Sequence, residues 1–279
     1  MSRVGEADFA DWVGRIHTGS DMLTLGLLQR FAATVPAFSG NRDDPPATPY
    51  CLHWCLAPVI EPTANLGPDG HPRLGLQLPP IPLARRMWAG GELTFHGPLQ
   101  AGDVVTRRSM IASIEAKQGR SGGLTFVRVQ HEHSTERGTA VSEAQDIVYR
   151  EPTGRVASAA ASPEPDFEVA RCESVDTDPV LLFRYSALTF NGHRIHYDHP
   201  YATETEGYPG LVVHGPLIAT LLANLAAGEL GTLSVFRFKS RAPLFLGETL
   251  KLLCSHGERG AKLEARNGAG GLIMTASAE

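Results

Sequence analysis

The chain has 279 residues, of which 42% are hydrophobic and 20% are charged, and its formal net charge is −5. This composition is typical of a soluble globular protein with room for one or two cores, and the negative charge gives no reason to expect nucleic-acid binding. The sequence has no apolar run long enough to span a membrane and no signal peptide at its N-terminus, so we predict a cytoplasmic protein without a membrane segment.

The first third of the chain predicts helices followed by a long irregular segment. Apolar residues recur at helical spacing over residues 8–34, with a break at residues 18–21. Residues 35–83 contain more than half of the 20 prolines, so we expect turns there, with one short helix around residues 50–56. Loops of this length within a compact domain are often functional.

The cysteines do not predict a disulfide framework, because the chain has only 4 of them. Cys51 and Cys55 flank His53 at a spacing that could form half of a metal site, but no second cysteine pair completes it. We therefore favour buried, reduced thiols.

Strand patterns begin after the proline-rich segment. Residues 91–150 predict three or four antiparallel strands, with turns at residues 118–123 and 135–138. Residues 151–165 are rich in Pro, Ala and Ser and have little to bury, so we predict a linker there. Further strands are predicted over residues 232–278.

One segment of the second half predicts a buried helix. It runs from Pro216, a residue suited to the first helical position, to Gly228, which can end a helix. Thr220 and Asn224 are the only polar residues between them. Because such a helix is apolar on nearly every side, we expect a sheet to wrap around it.

A short internal repeat relates the two halves of the chain. The sequence Pro98-Leu-Gln-Ala-Gly-Asp-Val-Val105 aligns with Pro243-Leu-Phe-Leu-Gly-Glu-Thr-Leu250 at an offset of 145 residues. Both copies lie between predicted strands. The repeat therefore indicates two similar modules.

A dense polar cluster precedes the buried helix. It contains Asn191, His193, His196, Asp198 and His199, and the motif Val213-His214-Gly215-Pro216 follows it. The three histidines of the cluster have the spacing H-x-x-H-x-x-H, which could be read as a metal site. Asp198 and the proline at 200 favour a loop over a helix, and no HExxH motif occurs, so we do not expect a metal.

These motifs resemble those of the MaoC-type, (R)-specific enoyl-thioester hydratases and dehydratases, which have the hot-dog fold. The resemblance extends to residues 78–91 in the first half. It is strongest to the double hot-dog branch, which includes mesaconyl-CoA and itaconyl-CoA hydratase-like proteins and mitochondrial 3-hydroxyacyl-thioester dehydratases.

The resemblance implies an α+β fold with two modules, each a curved antiparallel sheet wrapped around a long helix. Residues 1–150 would form a degenerate, dehydratase-like hot-dog that lines the acyl tunnel. Residues 151–165 would be the linker, and residues 166–279 would form the catalytic MaoC-like hot-dog. Since hot-dog units pair along their sheets, the two modules can pair within one chain, and a homodimer of such chains is a further expectation.

The activity implied is reversible hydration of an α,β-unsaturated acyl thioester, or dehydration of the 3-hydroxyacyl thioester. The partner would be an acyl-CoA of the short, mesaconyl-CoA-like kind or an acyl-carrier-protein thioester, with no other cofactor and no metal. His196 would be the principal acid/base, Asn191 would hold the water, and the Gly215 amide would bind the thioester oxygen. The family usually has an aspartate where Asn191 stands and an asparagine where His193 stands.

Further residues are expected to bind the substrate or to support the catalytic groups, namely His193, Asp198, His214, Arg85, Arg86, Arg237, Lys239 and Arg241. Strand alternation places the last three opposite Phe236 and Phe238; a solvated sheet edge is the alternative. Asp198 would either orient a histidine or cap a turn. His53, His131 and His133 are expected to be structural, with no site around them.

Two other functions fit the same fold. A hot-dog thioesterase would need a carboxylate or a water-positioning residue on the buried helix, where Thr220 and Asn224 are the only polar residues. A non-catalytic acyl-thioester-binding protein is suggested by the missing aspartate at position 191.

Overall fold

The protein is described by a computed structural model that covers residues 6–38, 48–83, 85–119, 122–151, 154, 156–257 and 260–279. Its centre is one 10-stranded sheet to which each half of the chain contributes five strands. All strand pairings in it are antiparallel.

The first half contains most of the long strands. In chain order its elements are a 3₁₀ helix (Glu6–Trp12), β1 (Ile16–Met22), α1 (Leu25–Ala32), two 3₁₀ helices (Leu52–Cys55 and Thr63–Asn65), β2 (Arg85–Phe95), β3 (Val104–Gly119), β4 (Gly122–Thr135) and β5 (Gly138–Arg150).

The second half has shorter strands and the longest helix. Its elements are β6 (Arg171–Asp176), α2 (Pro179–Thr189), a 3₁₀ helix (Arg194–His196), a π-helical turn (Tyr201–Thr205), α3 (Gly215–Leu230), β7 (Val235–Ser240), β8 (Thr249–Cys254), β9 (Ala261–Asn267) and β10 (Leu272–Ala278).

The two halves repeat one strand order from the outer edge of the sheet inward. The first half runs β1-β3-β4-β5-β2, and the second runs β6-β8-β9-β10-β7. The inner strands β2 and β7 pair with each other, with Gly90 opposite Lys239 and Thr94 opposite Val235. The pairing of two modules within one chain is therefore present as a continuous sheet.

Local contacts repeat as well, which confirms the duplication predicted from the sequence. The repeat connects β2 to β3 and β7 to β8. The Gln100 amide donates to Asp103 Oδ2 (2.7 Å), and the Phe245 amide donates to Glu248 Oε2 (2.9 Å) in the same way. These carboxylates fix the two equivalent turns.

The predicted buried helix is α3. Ten of its residues are buried, and it packs against β8, β9 and β10. Its two polar residues are engaged: the Thr220 hydroxyl lies 3.3 Å from the Tyr185 hydroxyl, and the Asn224 side chain binds both the amide and the carbonyl of Tyr50. Asn224 therefore ties the helix to the first half.

The prediction of helix over residues 8–34 is wrong for residues 16–22, which form β1 and pair with β3. The apolar residues at helical spacing belong to separate elements on either side of this edge strand. Backbone hydrogen bonds to β3 stabilise the strand, and local propensity does not predict such tertiary pairing. The short helix expected near residues 50–56 is present as the 3₁₀ helix Leu52–Cys55.

The expectation of a long helix in both modules holds only for the second. In the described part of the first half, the longest helix is α1, with 8 residues. The described residues between α1 and β2 form only two 3₁₀ helices, as their high proline content favours. The described part of the first module therefore has the sheet of the fold without the long helix.

The predicted linker is bound along the turn between β9 and β10. Asn267 Nδ2 donates to the Ala159 carbonyl (2.9 Å), and Arg266 Nη2 donates to the Pro163 carbonyl (2.6 Å). The division into domains 1–150 and 166–279 stays a prediction. Within the described residues, no helix combines the length and apolar character needed to cross a bilayer.

The packing of α3 generates a stability prediction. Leu221 is fully buried, so Leu221→Ala should lower the free energy of unfolding by about 2–5 kcal/mol, measured by urea denaturation. Leu25→Ala is the matched control, because Leu25 is 62% exposed, and it should change the free energy by less than about 0.5 kcal/mol. Equal losses in the two variants would contradict this assignment of the core.

Candidate active site

The polar cluster and the start of α3 are held together by two hydrogen bonds of the Val212 backbone. The Val212 amide donates to the Ile195 carbonyl (2.9 Å), and His196 Nδ1 lies 2.7 Å from the Val212 carbonyl oxygen. These contacts bring the 3₁₀ helix Arg194–His196 next to the segment that leads into α3. The site is therefore built where the cluster meets the helix N-terminus.

His196 has a defined tautomer. Because a carbonyl only accepts, Nδ1 carries the hydrogen and donates it to Val212. The lone pair is then on Nε2, and the residue lines a large cavity. Burial lowers the pKa of His196 to about 4, against the raising effect of the Val212 bond. At neutral pH His196 is an uncharged proton acceptor.

His214 supports His196 from behind. Their rings stack with centroids 3.6 Å apart, and His214 Nε2 lies 2.8 Å from the Ser186 hydroxyl. His214 is fully buried, and burial holds its pKa well below the usual value. It is the N-cap residue of α3, so it fixes the His196 ring relative to the start of the helix.

Gly215 is the first residue of α3. The first amides of a helix have no acceptor within it, and the positive end of the helix dipole lies at the same place. Gly215 lines the cavity beside His196, and a Cβ at this position would lie 3.4 Å from Trp88 Cε3. Its amide can therefore serve a carbonyl oxygen that approaches past Trp88.

Asn191 and His193 complete the cluster on the cavity wall. The Asn191 side-chain oxygen accepts from the His193 amide (3.0 Å). Its Nδ2 group has no hydrogen-bond partner among the described residues. The His193 ring lies 5.4 Å from that of His196 between centroids, and burial lowers the pKa of His193. Both residues line the cavity.

The cavity has a volume of about 1380 Å³ and is lined by both halves of the chain. The second half contributes the start of α3 and the polar cluster. The first half contributes β2, the concave face of its sheet and residues of the proline-rich segment. This volume is large for a single small molecule and accommodates an elongated ligand.

The two arginines at the start of β2 both line the cavity, but they differ in how closely they are held by their partners. Arg85 is buried (6% exposed) and binds Glu206 through the Glu206 carbonyl, with its Nε 3.6 Å from the carboxylate. Arg86 lines the cavity, with Nη2 3.9 Å from Asp69 Oδ2. Arg85 thus joins the halves, and Arg86 can meet a ligand.

The basic residues of β7 and beyond lie opposite buried phenylalanines, as alternation predicts. Arg237 forms ion pairs with Glu92 and Glu279, both at 2.7 Å, and Lys239 is exposed. Neither lines the cavity, whereas Arg241 does. Of this set, only Arg241 is placed to contact a ligand.

Of the two roles predicted for Asp198, orienting a histidine or capping a turn, the structure shows the second. Its carboxylate binds Arg194 (2.7 Å) and accepts from the Tyr201 amide (3.1 Å). It does not line the cavity. His199 is exposed, so the H-x-x-H-x-x-H histidines do not converge on one point.

The sequence analysis missed a loop of the first half that enters the site. His71 lines the cavity, and its ring centroid lies 4.2 Å from that of His193. Its Nδ1 lies 3.1 Å from Asp69 Oδ2. The only sequence feature that pointed to this loop was its position in the proline-rich segment, which was predicted to be functional. No pattern linked that segment to a cluster more than 100 residues away.

The histidines expected to be isolated structural residues instead surround one carboxylate. His53 Nε2 lies 3.6 Å from Glu143 Oε2, and the His53 and His133 rings lie 4.8 Å apart. Trp54 Nε1 donates to the same oxygen (3.0 Å). Burial would raise the pKa of Glu143, but the neighbouring His53 and His131 lower it to about 2.

Two groups of three side chains in the described part of the chain have ligand atoms within 4.8 Å of one another, namely His53, His133 and Glu143, and Asp69, His71 and His193. In each, the carboxylate already accepts a hydrogen bond from the protein, from Trp54 and from His71 respectively. Cys51 and Cys55 are buried and belong to neither group. Burial raises the pKa of Cys55 to about 12, so this thiol stays protonated.

Comparison with known proteins agrees with this geometry. A family model described as hydroxyacyl-thioester dehydratase type 2 matches residues 51–246. The chain is 42% identical over 277 residues to mesaconyl-C(4)-CoA hydratase of Chloroflexus aurantiacus, covering 99% of both chains. These matches confirm the family resemblance inferred from the motifs.

Solved structures confirm the fold. A MaoC-like dehydratase from Phytophthora capsici superposes with a TM-score of 0.69 at 16% identity, covering 99% of this chain and 98% of the other. A Mycobacterium tuberculosis protein described as having a double hot-dog fold superposes with a TM-score of 0.59 at 13% identity, covering 95% of each chain. At these identities the likeness concerns the fold alone.

The lowered pKa values of the site histidines predict how stability depends on pH. His71, His193, His196 and His214 all have lowered pKa values, whereas unfolded histidines titrate near 6.5. Between about pH 6.5 and 4 the unfolded chain binds more protons, so the free energy of unfolding should fall as pH falls through this window. His196→Asn should flatten the slope, measured by urea denaturation at several pH values. His256→Asn, whose side chain is 70% exposed in the native protein, should leave the slope unchanged.

Proposed function

Because the chain belongs to the hydroxyacyl-thioester dehydratase type 2 family and is a lyase that adds or removes water at acyl thioesters, we propose that its substrate is a short unsaturated acyl-CoA with a second carboxylate, of the mesaconyl-C(4)-CoA type. The observation that carries the proposal is the Gly215 amide and the free Nε2 of His196 facing one cavity. The identity of the relative supports this choice of acyl group.

Gly215 is assigned to the thioester oxygen. When water adds to the β-carbon, negative charge develops on the carbonyl oxygen as an enolate. An amide at the N-terminus of α3 stabilises this charge by a hydrogen bond and by the helix dipole. Such a donor acts most strongly in the transition state, because the ground-state carbonyl carries less charge.

His196 is assigned to proton transfer. Its Nε2 takes a proton from water as the C–O bond forms at the β-carbon, and the proton is then delivered to the α-carbon. The imidazole is uncharged again at the end of the reaction, and the second proton of the water stays on the oxygen as the new hydroxyl group. Asn191 Nδ2 can donate to the oxygen of the water, or to the substrate hydroxyl in dehydration. This chemistry requires proton transfer and carbonyl polarisation, which side chains and amides supply.

A carboxylate on the acyl group suggests a role for Arg86. Arg86 lines the cavity, and its Nη2 lies 3.9 Å from Oδ2 of Asp69, the carboxylate that binds His71. A carboxylate bound to the β-carbon of the substrate could pair with it. The alternative is that Arg86 binds a phosphate of coenzyme A, a role for which Arg241 is also placed.

The thioesterase alternative is disfavoured by the contacts of α3. Thr220 is buried against Tyr185, and Asn224 is bound to the Tyr50 backbone. Neither is free to position a water. A non-catalytic acyl-thioester-binding protein would bind the thioester in the same assay without hydrating or hydrolysing it. Acyl-carrier-protein thioesters, a homodimer and a cytoplasmic location stay predictions, checked by assay, analytical ultracentrifugation and cell fractionation.

The roles of the catalytic residues predict a specific loss of rate. His196→Ala should lower kcat for hydration of mesaconyl-C(4)-CoA and crotonyl-CoA by about 10²–10⁴-fold, since general acid–base catalysis contributes that much. Loss of the enoyl-thioester absorbance measures hydration, and a thiol reagent measures hydrolysis. Lys251→Ala on the exposed side of β8 is the control. If His196→Ala and Asn191→Ala both retained wild-type rates, the assignment would be refuted.

The two readings of Arg86 predict different substrate dependence. If Arg86 binds the acyl carboxylate, Arg86→Met should lower kcat/KM for mesaconyl-C(4)-CoA by about 10–150-fold, the value of a charged hydrogen bond. Crotonyl-CoA, which lacks that carboxylate, should change by less than about twofold. Equal losses for both substrates would contradict the pairing of Arg86 with the acyl carboxylate.

A further inference from the structure

The family's second acid/base position is the least conventional part of this site. Asn191 stands where an aspartate is expected, and an amide cannot accept a proton. A carboxylate that reaches the cavity through another group could take over this role. Among the described residues near the cluster, Asp198 is engaged by Arg194 away from the cavity, whereas Asp69 is bound to a histidine that lines it.

Asp69 and His71 form a dyad. The His71 amide donates to Asp69 Oδ1 and His71 Nδ1 donates to Asp69 Oδ2, both at 3.1 Å. Burial would raise the pKa of Asp69, but His71 and Arg86 lower it below its usual value, so the carboxylate is ionised. With Nδ1 donating to Asp69, the lone pair of His71 is on Nε2.

The loop that carries the dyad is closed on itself. An antiparallel bridge joins Leu66 and Pro72, the Gly67 amide donates to the His71 carbonyl (2.7 Å), and the Arg73 amide donates to the Asn65 carbonyl (2.9 Å). The loop is therefore a compact turn whose side chains have fixed directions. This is the condition that a catalytic group on a loop has to meet.

The loop is also docked on the polar cluster of the second half. The Arg194 amide donates to the Asp69 carbonyl, and Arg194 Nη1 donates to the Pro68 carbonyl, both at 2.9 Å. Gly70 lies against Gly192 so closely that a Cβ at Gly70 would be 2.0 Å from the Gly192 carbonyl oxygen. Glycine is required there, also because its φ is +87°.

His71 faces the same space as His193 and His196. Its ring lies 4.2 Å from that of His193, and its charge, when present, acts on both residues. Burial, with a further contribution from Arg86, lowers the pKa of His71 to about 4, against the raising effect of Asp69. Two uncharged imidazoles, one from each half of the chain, therefore line the same cavity, with the His193 ring next to both.

We propose that His71, oriented by Asp69, is a catalytic residue that accepts the second hydrogen of the water held by His196 and Asn191. The inference rests on the proposed function. In hydration, one O–H bond of the water breaks, its proton passes through His196 to the α-carbon, and the oxygen bonds to the β-carbon. The other O–H bond remains and donates to His71. In dehydration, His71 accepts from the 3-hydroxyl group.

This arrangement satisfies each polar atom of the water. His196 and His71 accept its two hydrogens, and Asn191 donates to one lone pair. The remaining lone pair is directed at the β-carbon. Asp69 stabilises the partial positive charge that His71 acquires, as the aspartate of a Ser-His-Asp triad does for its imidazole. The first half thus supplies His71, held by Asp69, as the hydrogen-bond acceptor that a carboxylate at position 191 would otherwise provide.

The test is a rescue experiment on the full chain with mesaconyl-C(4)-CoA and crotonyl-CoA. His71→Ala should lower kcat by about 10²-fold, the lower end for acid–base groups, with a smaller change in KM. Asp69→Asn should lower kcat by about tenfold. His71→Ala combined with Asn191→Asp should recover at least tenfold of the loss, because a carboxylate then accepts the second hydrogen. His199→Ala, on the exposed surface, should keep the wild-type kcat.

The outcomes separate the two levels of the proposal. An active wild type whose kcat is unchanged in His71→Ala overturns the role of His71 alone. A loss that Asn191→Asp does not rescue, with a lowered melting temperature in both variants, shows a structural role and also overturns it. A wild type that hydrates neither thioester, nor dehydrates the 3-hydroxyacyl forms, overturns the proposed function itself.

Discussion

The site depends on the antiparallel pairing of β2 with β7, which makes two five-stranded halves into one sheet. The pairing requires residues without side chains at its centre: a Cβ on Gly90 would lie 2.5 Å from the Phe238 carbonyl oxygen, and one on Gly91 would lie 2.9 Å from the Phe238 ring carbon Cζ. Trp88, two residues earlier on β2, is thereby placed beside Gly215. The first half thus forms one wall of a cavity whose chemistry comes from the second.

Burial controls the charge of the site. Imidazoles stack and abut at its centre, and each is kept uncharged because desolvation lowers its pKa. A carboxylate at position 191 would lie directly among them. In this chain the nearby carboxylate, Asp69, lies one residue layer behind the cavity, with His71 between it and the substrate.

Much of the second half could be predicted from the sequence, because its information is local. The apolar run after Pro216 fixes a buried helix, and the motif around His196 lies next to it in the chain. The repeat at residues 98–105 and 243–250 predicts the duplication, since a carboxylate caps both turns. These features depend on neighbours within a few residues, which a sequence displays directly.

The first half could not be predicted as well, because its structure depends on distant partners. β1 exists through its pairing with β3, and no local pattern distinguishes it from the helices on either side. His71 reaches the site because its loop docks on Arg194 and Gly192. Likewise, Glu143 gathers His53 and His133 from separate elements. Such long-range contacts produce no regular spacing of residues in the sequence, so composition is the only sign of them.

The absence of a long helix from the described part of the first half has a genetic consequence. A single-module hot-dog encoded by one gene must present identical surfaces to both members of a pair, so any change alters both. Here the two modules lie in one chain. Helices α1 and α2 are still capped in the same way, each by a side-chain oxygen that accepts from the amide three residues later, but α3 has no long counterpart in the described part of the first half. Each copy can therefore accumulate substitutions separately, and a residue lost from one can be compensated by the other while both are inherited together.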